Sequence, residues 1–157
     1  MPDPARIAHN RKLVQDMYEA LNAKDYDAHH RYWHEDMIWH GPPGLGELHG
    51  IEAFKRGCLD PIYAAFPDYH AVNEIEFADE DWVAATGIVT GTHLGPYLGL
   101  EPTGKSITMR FSDFWSVKDG KLKDNWVMID NIDVLGQLGV DLLAMVPRHA
   151  SGQAPQR

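Results

Sequence analysis

The chain is poor in cysteine and in positive charge, and it has no long apolar run. Cys58 is the only cysteine among 157 residues, which excludes an internal disulfide and a zinc site built from cysteines. The net charge of −9 argues against binding to a nucleic-acid backbone, which requires a basic surface. No segment approaches the ~18 apolar residues of a membrane span, and the first residues lack the pattern of a secretory signal. These absences predict a cytoplasmic protein that binds neither nucleic acid nor membrane.

The rest of the composition is typical of one globular domain. Apolar residues make up 44% of the chain and charged residues 24%, a balance found in folded proteins. The length is sufficient for one sizeable core. We predict a single domain over residues 5–143 and a flexible tail over residues 147–157, where proline, glutamine and serine occur.

Periodicity places the helices first and the strands afterwards. Helices are predicted over three segments, 5–23, 25–33 and 51–66. Strands are predicted over 37–40, 69–77, 82–93, 107–117 and 122–130, with a short final helix over 134–143. Asp119 and Gly120 form the strongest hairpin signal and join the last two strands. This order predicts an α+β fold, in which helices lie on a curved, mainly antiparallel sheet.

Two aspartates lie where strands should carry apolar side chains. Asp113 shares one strand face with Ile107, Met109, Phe111, Trp115 and Val117. Asp130, on the following strand, shares a face with Leu122, Trp126 and Met128. Burial of an ionised carboxylate without a partner is costly, so the pKa of such a group rises. We therefore predict an apolar pocket that contains acids suited to proton transfer.

The hairpin predicts how far apart these acids lie. If Lys118 pairs with Lys121 and the register is unbroken, Asp113 lies opposite Trp126. Asp130 then lies opposite Met109, four residues before Asp113. At ~3.3 Å per residue the two acids would be about 13 Å apart, too far to share a proton. A β-bulge would change this distance.

Structural explanations for these residues also stay open. Asp130 could cap the turn after its strand, and Asp113 could pair with Arg110 or with a tryptophan indole. His30 and His34 have the i, i+4 spacing that can bind metal on a helix. Without the glutamate of the metalloprotease motif this signal is weak, and we predict no metal site.

Several spaced motifs resemble those of the SnoaL-like polyketide cyclases, also called ester cyclases. The Gly/Pro-rich segment 91–105 is similar to the signature loop of that family. The similarity covers most of residues 13–139 and includes Phe66-Pro67-Asp68, Asp119-Gly120-Lys121, Trp126, Asp130 and Gln137-Leu138-Gly139. The resemblance implies the nuclear-transport-factor-two-like fold, a cone-shaped α+β barrel whose curved sheet and helices enclose a pocket.

The same resemblance implies an enzyme and a mechanism. SnoaL-like cyclases close the last ring of aromatic polyketides by intramolecular aldol condensation, without metal or cofactor. Their acid/base aspartate lies late in the sheet, which by position implies Asp130. Asp113 resembles the protonated oxyanion-hole aspartate of ketosteroid isomerase, a distant relative. We expect Asp130 to take a proton α to a carbonyl, Asp113 to stabilise the enolate, and His40 and His93 to position the substrate.

The pocket walls, partners and alternatives complete these expectations. We expect a small hydrophobic or aromatic carbonyl substrate to contact the side chains of Tyr18, Trp33, Trp39, Phe111, Trp115, Trp126 and Met128. The resemblance implies a homo-oligomer, a dimer or tetramer, packed through the sheet face of Arg110, Ser112 and Phe114.

Two alternatives stay open: a hydrolase, dehydratase or isomerase on the same scaffold, and a non-catalytic protein that binds small hydrophobic ligands.

Overall fold

A computed structural model describes residues 2–146. Its α-helices are α1 (Pro4–Ala23), α2 (His29–Tyr32), α3 (Ile51–Phe54), α4 (Asp60–Ala65) and α5 (Asn131–Leu138). Its strands are β1 (Trp33–His40), β2 (Glu47–His49), β3 (His70–Ala78), β4 (Trp82–Thr92), β5 (Ser106–Lys118) and β6 (Lys121–Ile129). A π-helical turn joins α3 to α4 (Lys55–Leu59), and a short 3₁₀ turn follows α5 (Leu143–Met145). The tail predicted over residues 147–157 lies outside the described residues.

The six strands form one curved, unclosed sheet in the order β2-β1-β6-β5-β4-β3. All neighbouring strands are antiparallel except β1 and β6, which pair in parallel. The helices cover its concave side, so the predicted α+β fold with a mainly antiparallel sheet is confirmed. Within residues 2–146, no helix is both long enough and apolar enough to cross a membrane.

Helix α1 lies across the concave side of the sheet. The Asp3 side chain caps its N-terminus by accepting hydrogen bonds from backbone N–H groups, and Pro4 stands in the first turn, where a missing N–H costs nothing. The buried side chains recur at helical spacing and include Leu13, Val14, Met17, Tyr18 and Leu21. This stripe was predicted, and it positions the Tyr18 phenol above the sheet.

The segment before the first strand is less helical than predicted. The Asp25 carboxylate accepts a hydrogen bond from the Ala28 N–H at 3.0 Å, but the helix that follows, α2, has only four residues. From Trp33 onward the chain is extended, because Trp33, Met37 and Trp39 all bury their side chains on the inner side of β1. Tertiary burial therefore decides the structure here over local helix propensity.

The third predicted helix is continuous but irregular. The π-helical turn Lys55–Leu59 immediately precedes Asp60 and Pro61. Proline has no N–H to donate to the carbonyl four residues earlier, so a regular α-helix cannot run through Pro61 without losing that bond. The wider turn places Gly57 and Cys58 in the wall of an internal cavity.

The β5–β6 hairpin contains the largest difference from the sequence-based expectation. Lys118 pairs with Lys121 as predicted, and Asp119 and Gly120 both have positive φ, as a type I′ turn requires. However, Ser116 pairs with Asp124 while Val117 pairs with Leu122, which leaves Lys123 as an unpaired bulge residue. Every later residue of β6 is shifted by one position and therefore faces the opposite side of the sheet.

Candidate active site

The concave side of the sheet and the covering helices enclose a cavity of about 170 Å³. Its walls come mainly from the helices α1, α3 and α4, the π-helical turn, the strands β1, β4, β5 and β6, and the loop 93–105, from which Pro96, Tyr97 and Leu98 reach the cavity. The lining is mostly aliphatic and aromatic. Among the described residues that line it, Asp113 is the only acid, and none is lysine, arginine or histidine.

Asp113 lies on the inner face of β5 and is only 8% exposed. The Tyr18 hydroxyl donates a hydrogen bond to its Oδ2 at 2.7 Å, whereas Oδ1 is buried and has no partner in the described part of the chain. Burial raises the pKa of Asp113 to about 7, although the bond from Tyr18 acts in the opposite direction. The carboxyl group therefore gains and loses a proton near neutral pH.

Neither structural partner considered for Asp113 is observed. Arg110 lies on the outer face of β5 and is exposed, and no indole N–H donates to the carboxylate within residues 2–146. Tyr18 is the partner instead, across the interface between α1 and the sheet. Its ring stacks on Phe111 at 5.9 Å and meets Trp115 edge-on at 5.8 Å. Burial and the nearby Asp113 raise the pKa of Tyr18 well above its usual range, so the phenol stays a donor.

Four further polar side chains in the cavity wall were not predicted. Asn125 pairs with Trp115 across the hairpin, and its amide donates to the Phe114 carbonyl at 3.4 Å. The others are Tyr69, Tyr97 and Cys58. Burial raises the pKa of the Cys58 thiol to about 12, so the thiol stays protonated and is a poor nucleophile. Asn125 could have been found only by allowing for the bulge in β6.

Comparison with known proteins assigns the family. The sequence profile described as SnoaL-like polyketide cyclase matches residues 12–138. The chain belongs to this family. Aklanonic acid methyl ester cyclase DnrD of Streptomyces peucetius is 30% identical to it over 133 residues, covering 81% of this chain and 88% of that protein. The corresponding cyclase DauD of Streptomyces sp. (strain C5) is 29% identical and covers 81% of this chain and 80% of that protein.

Solved structures agree with this assignment. IdmH of Streptomyces antibioticus is 28% identical, with a TM-score of 0.74 over 83% of this chain and 99% of that one. A SnoaL-like protein from Jannaschia sp. CCS1 has a TM-score of 0.80 over 89% of this chain and 98% of that one. At 18% identity, the latter likeness concerns the fold alone.

In this SnoaL-like chain, most of the predicted wall residues do line the cavity, while two do not. The cavity is lined by Tyr18, Trp33, Trp39, Phe111 and Trp115, as predicted, and their role in substrate binding stays a prediction. Trp126 and Met128 are 39% and 57% exposed on the outer face of the sheet. Their predicted place in the pocket is wrong, because the unpaired Lys123 reverses the faces of β6.

The predicted position of Asp130 in the pocket is also wrong. Asp130 is exposed and caps the N-terminus of α5, where its Oδ1 accepts a hydrogen bond from the Asp133 N–H at 3.1 Å. This is the capping alternative considered from the sequence. Of the two predicted acids, only Asp113 lies in the cavity, so the structure supplies one carboxyl group rather than two.

Neither of the predicted histidines lies in the cavity wall. His40 faces outward from β1, where Nδ1 lies 2.8 Å from Glu47 Oε2 and the ring stacks on Trp126 at 4.5 Å. Its predicted position at the pocket mouth is wrong, because β1 directs Trp39 inward and therefore His40 outward.

His93 is fully buried and holds the loop that covers the cavity. Its Nδ1 accepts a hydrogen bond from the Thr103 backbone N–H at 3.2 Å. That amide can only donate, so Nδ1 is the acceptor in this contact. The ring contacts Phe66 and Tyr97, of which Tyr97 lines the cavity. His93 therefore helps to position the loop that covers the cavity, and its imidazole does not itself line the cavity.

The histidine pair considered as a metal site is not on one helix face. Helix α2 ends at Tyr32, so His30 is helical and His34 belongs to β1. No group of three or more His, Cys, Asp or Glu side chains in residues 2–146 is arranged to hold a metal ion. His29 is fully buried instead, and burial lowers its pKa to about 4.

Proposed function

We propose that the protein is a cyclase that closes a ring by intramolecular aldol addition, with Asp113 as its proton-transfer group. The observation that carries this proposal is one carboxyl group with a pKa of about 7, buried in an apolar cavity. An aldol addition needs a base and afterwards an acid, and it consumes no net proton. One group that titrates near neutral pH can therefore serve both steps.

The proposed steps use both oxygens of Asp113. Tyr18 holds Oδ2, which leaves the unpartnered Oδ1 to accept a proton from the carbon α to a ketone. The electron pair of the broken C–H bond forms a carbon–carbon bond to a second carbonyl carbon of the same molecule. The oxygen of that carbonyl becomes an alkoxide and takes the proton back from Asp113. The apolar surroundings strengthen each electrostatic interaction along this course.

The relatives and the lining suggest the substrate class. DnrD and DauD are named aklanonic acid methyl ester cyclases, so we propose a neutral aromatic polyketide ester as substrate. A neutral ester suits this cavity, because the described residues that line it include one acid and no cationic side chain. The reaction as written needs no metal or cofactor.

Deuterium exchange into 2-acetonaphthone, an aromatic methyl ketone, tests the proton transfer directly. The protein should accelerate the loss of the methyl proton signal in D2O, with a rate that rises with pH around a midpoint near 7 because the carboxylate is the base. Asp113→Asn should abolish the acceleration. Asp130→Asn makes the same chemical change outside the cavity and should leave the rate unaltered.

The outcome also separates the open alternatives. One outcome is that 2-acetonaphthone binds tightly but exchanges no faster than in buffer, and that Asp113→Asn changes neither the affinity nor the exchange rate. The cyclase proposal then fails, and a non-catalytic binding protein is supported. If exchange is absent but the protein hydrolyses or dehydrates a cavity-sized substrate in an Asp113-dependent way, the same scaffold performs a different reaction.

We also propose that the protein forms homo-oligomers through the outer face of the sheet. Large apolar side chains are exposed together there, namely Trp82, Phe114, Trp126 and Met128. Trp82 and Trp126 contact each other at 5.5 Å, so the cluster is contiguous. Sedimentation velocity should show a dimer or tetramer that Phe114→Lys dissociates, and a wild-type monomer at micromolar concentration would contradict this.

A further inference from the structure

Two tryptophans that line the cavity have indole N–H groups without an acceptor among residues 2–146. Trp33 and Trp115 are each 1% exposed, both line the cavity, and neither Nε1 has a hydrogen-bond partner in the described part of the chain. Buried donors are almost always paired in native proteins, and an unpaired one destabilises the fold. Two unused donors beside a carboxyl group that also has a free oxygen point to a ligand with several oxygen atoms.

Asp113 and Trp115 are neighbours on the inner face of β5. Trp115 lies two residues beyond Asp113 on the same face of β5, which separates their Cα atoms by ~6.6 Å. Both side chains line the same cavity, so one ketone can contact both of them, with its α-carbon at Asp113 and its oxygen at Trp115.

Trp33 lines the same cavity from another strand, β1. It pairs with Leu122 of β6, and Leu122 pairs with Val117 of β5, the next inward position after Trp115. Asp113 and Trp115 therefore lie on β5, and Trp33 lies two strands away on β1, roughly 10 Å across the sheet. A ligand that extends across the cavity from β5 to β1 and carries several carbonyl groups can contact all three.

We propose that the indole N–H groups of Trp115 and Trp33 bind two carbonyl oxygens of a polycarbonyl substrate, with Trp115 on the ketone that Asp113 enolises. The enolate part of this proposal rests on the proposed function. An indole N–H can only donate, so its bond strengthens as the bound oxygen gains negative charge. Trp115 then stabilises the enolate more than the ketone, while Trp33 positions the second carbonyl group.

Side-chain NMR of the wild-type protein tests the donors without any substitution. The chain has five tryptophans, whose indole N–H signals can be resolved by nitrogen-15 labelling. Addition of 2-acetonaphthone should move the Trp115 signal downfield, and 1-(2-naphthyl)-1,3-butanedione should also move that of Trp33. The signals of Trp82 and Trp126, on the outer face, should not move. 2-Ethylnaphthalene, which has the rings but no oxygen, measures the ring-current contribution.

Variants then measure what the bond contributes. Trp115→Phe should weaken binding of 2-acetonaphthone about tenfold more than it weakens binding of 2-ethylnaphthalene. In the exchange assay it should lower kcat by a larger factor than it raises KM, because the donor acts mainly on the enolate. Trp126→Phe makes the same substitution outside the cavity. It should change neither the binding of 2-acetonaphthone nor the kinetic constants of exchange.

The two proposals can fail separately. If the ketones move neither indole signal more than the hydrocarbon does, the donor assignment is overturned, even when exchange depends on Asp113. If the indole signals move as expected but Asp113→Asn leaves exchange unaltered, the donor sites stand as binding sites, and the enolate role and the cyclase proposal fail together.

Discussion

Replacement of Asp113 by asparagine should remove a pH dependence from the stability of the whole protein. Burial raises the pKa of Asp113 from its ordinary value of 3.8 to about 7, with the Tyr18 hydrogen bond acting against this rise. Between these two values, the folded protein holds a proton that the unfolded chain has already released. The variant has no such proton, because an asparagine amide does not ionise.

The sign and size of the effect follow from proton linkage. Where the folded state binds more protons, the free energy of unfolding falls as the pH rises, by about 1.36 kcal/mol per pH unit. The contribution is complete below pH 3.8 and is lost as the pH passes about 7. This window of about 3 pH units corresponds to a loss of about 4 kcal/mol, which the variant should not show.

Urea denaturation of both proteins from pH 4 to pH 8 measures this loss, with tryptophan fluorescence as the signal. The free energy of unfolding of the variant minus that of the wild type should increase by ~4 kcal/mol across the series. Contributions from other titrating groups cancel in the difference. Asp130→Asn provides the matched control, since its carboxylate is exposed at the start of α5.

A flat difference across this pH range would refute the reasoning. It would mean that Asp113 ionises in the folded protein as easily as in the unfolded chain. The carboxyl group would then be hydrated. The proposed aldol mechanism with one acid and the interpretation of the cavity as a low-dielectric site would both be refuted.

Four further substitutions test other parts of the structure. Tyr18→Phe removes the bond that lowers the pKa of Asp113, so the midpoint of the pH–rate profile for deuterium exchange should move to higher pH. Asp130→Ala should lower the free energy of unfolding in urea by about 1 kcal/mol through loss of a helix cap, with exchange unaltered. Gly95→Ala would bring a Cβ atom within 2.2 Å of a carbonyl oxygen in α4, so calorimetry should show a lower Tm as the covering loop is displaced. Burial lowers the pKa of His29 from 6.5 to about 4, so the folded protein binds fewer protons in this window and loses stability as the pH falls through it. His29→Phe should reduce that loss in urea denaturation across the same window.

Regular alternation explains what could be predicted. The inward side chains of β5 follow period two without interruption, so the burial of Asp113 among aromatic residues could be anticipated from the sequence. The helical stripe of α1 was equally regular and placed Tyr18 toward the core. Their contact could not be predicted, because the packing of a helix on a sheet depends on distant parts of the chain.

Irregular pairing explains what was mispredicted. Beyond Leu122, the inward positions are Asn125, Val127 and Ile129, and this order depends on a single unpaired lysine that no local signal marks. An unbroken register placed Trp126 on the inner face in the sequence-based prediction, whereas the structure places Asn125 there. The strand character of residues 33–36 was missed for a related reason: it depends on burial of Trp33 against the completed sheet, and local propensity does not report such burial.

The bulge at Lys123 has a consequence for how such a protein can change over evolutionary time. Deletion of this one residue would restore unbroken pairing after the Lys118–Lys121 turn and would rotate the rest of β6 by one position. Trp126 and Met128 would then turn toward the cavity, while Asn125 and Val127 would turn away from it. A loss or gain of one codon can thus replace a whole side of the binding surface at once, whereas point substitutions would have to alter each position in succession.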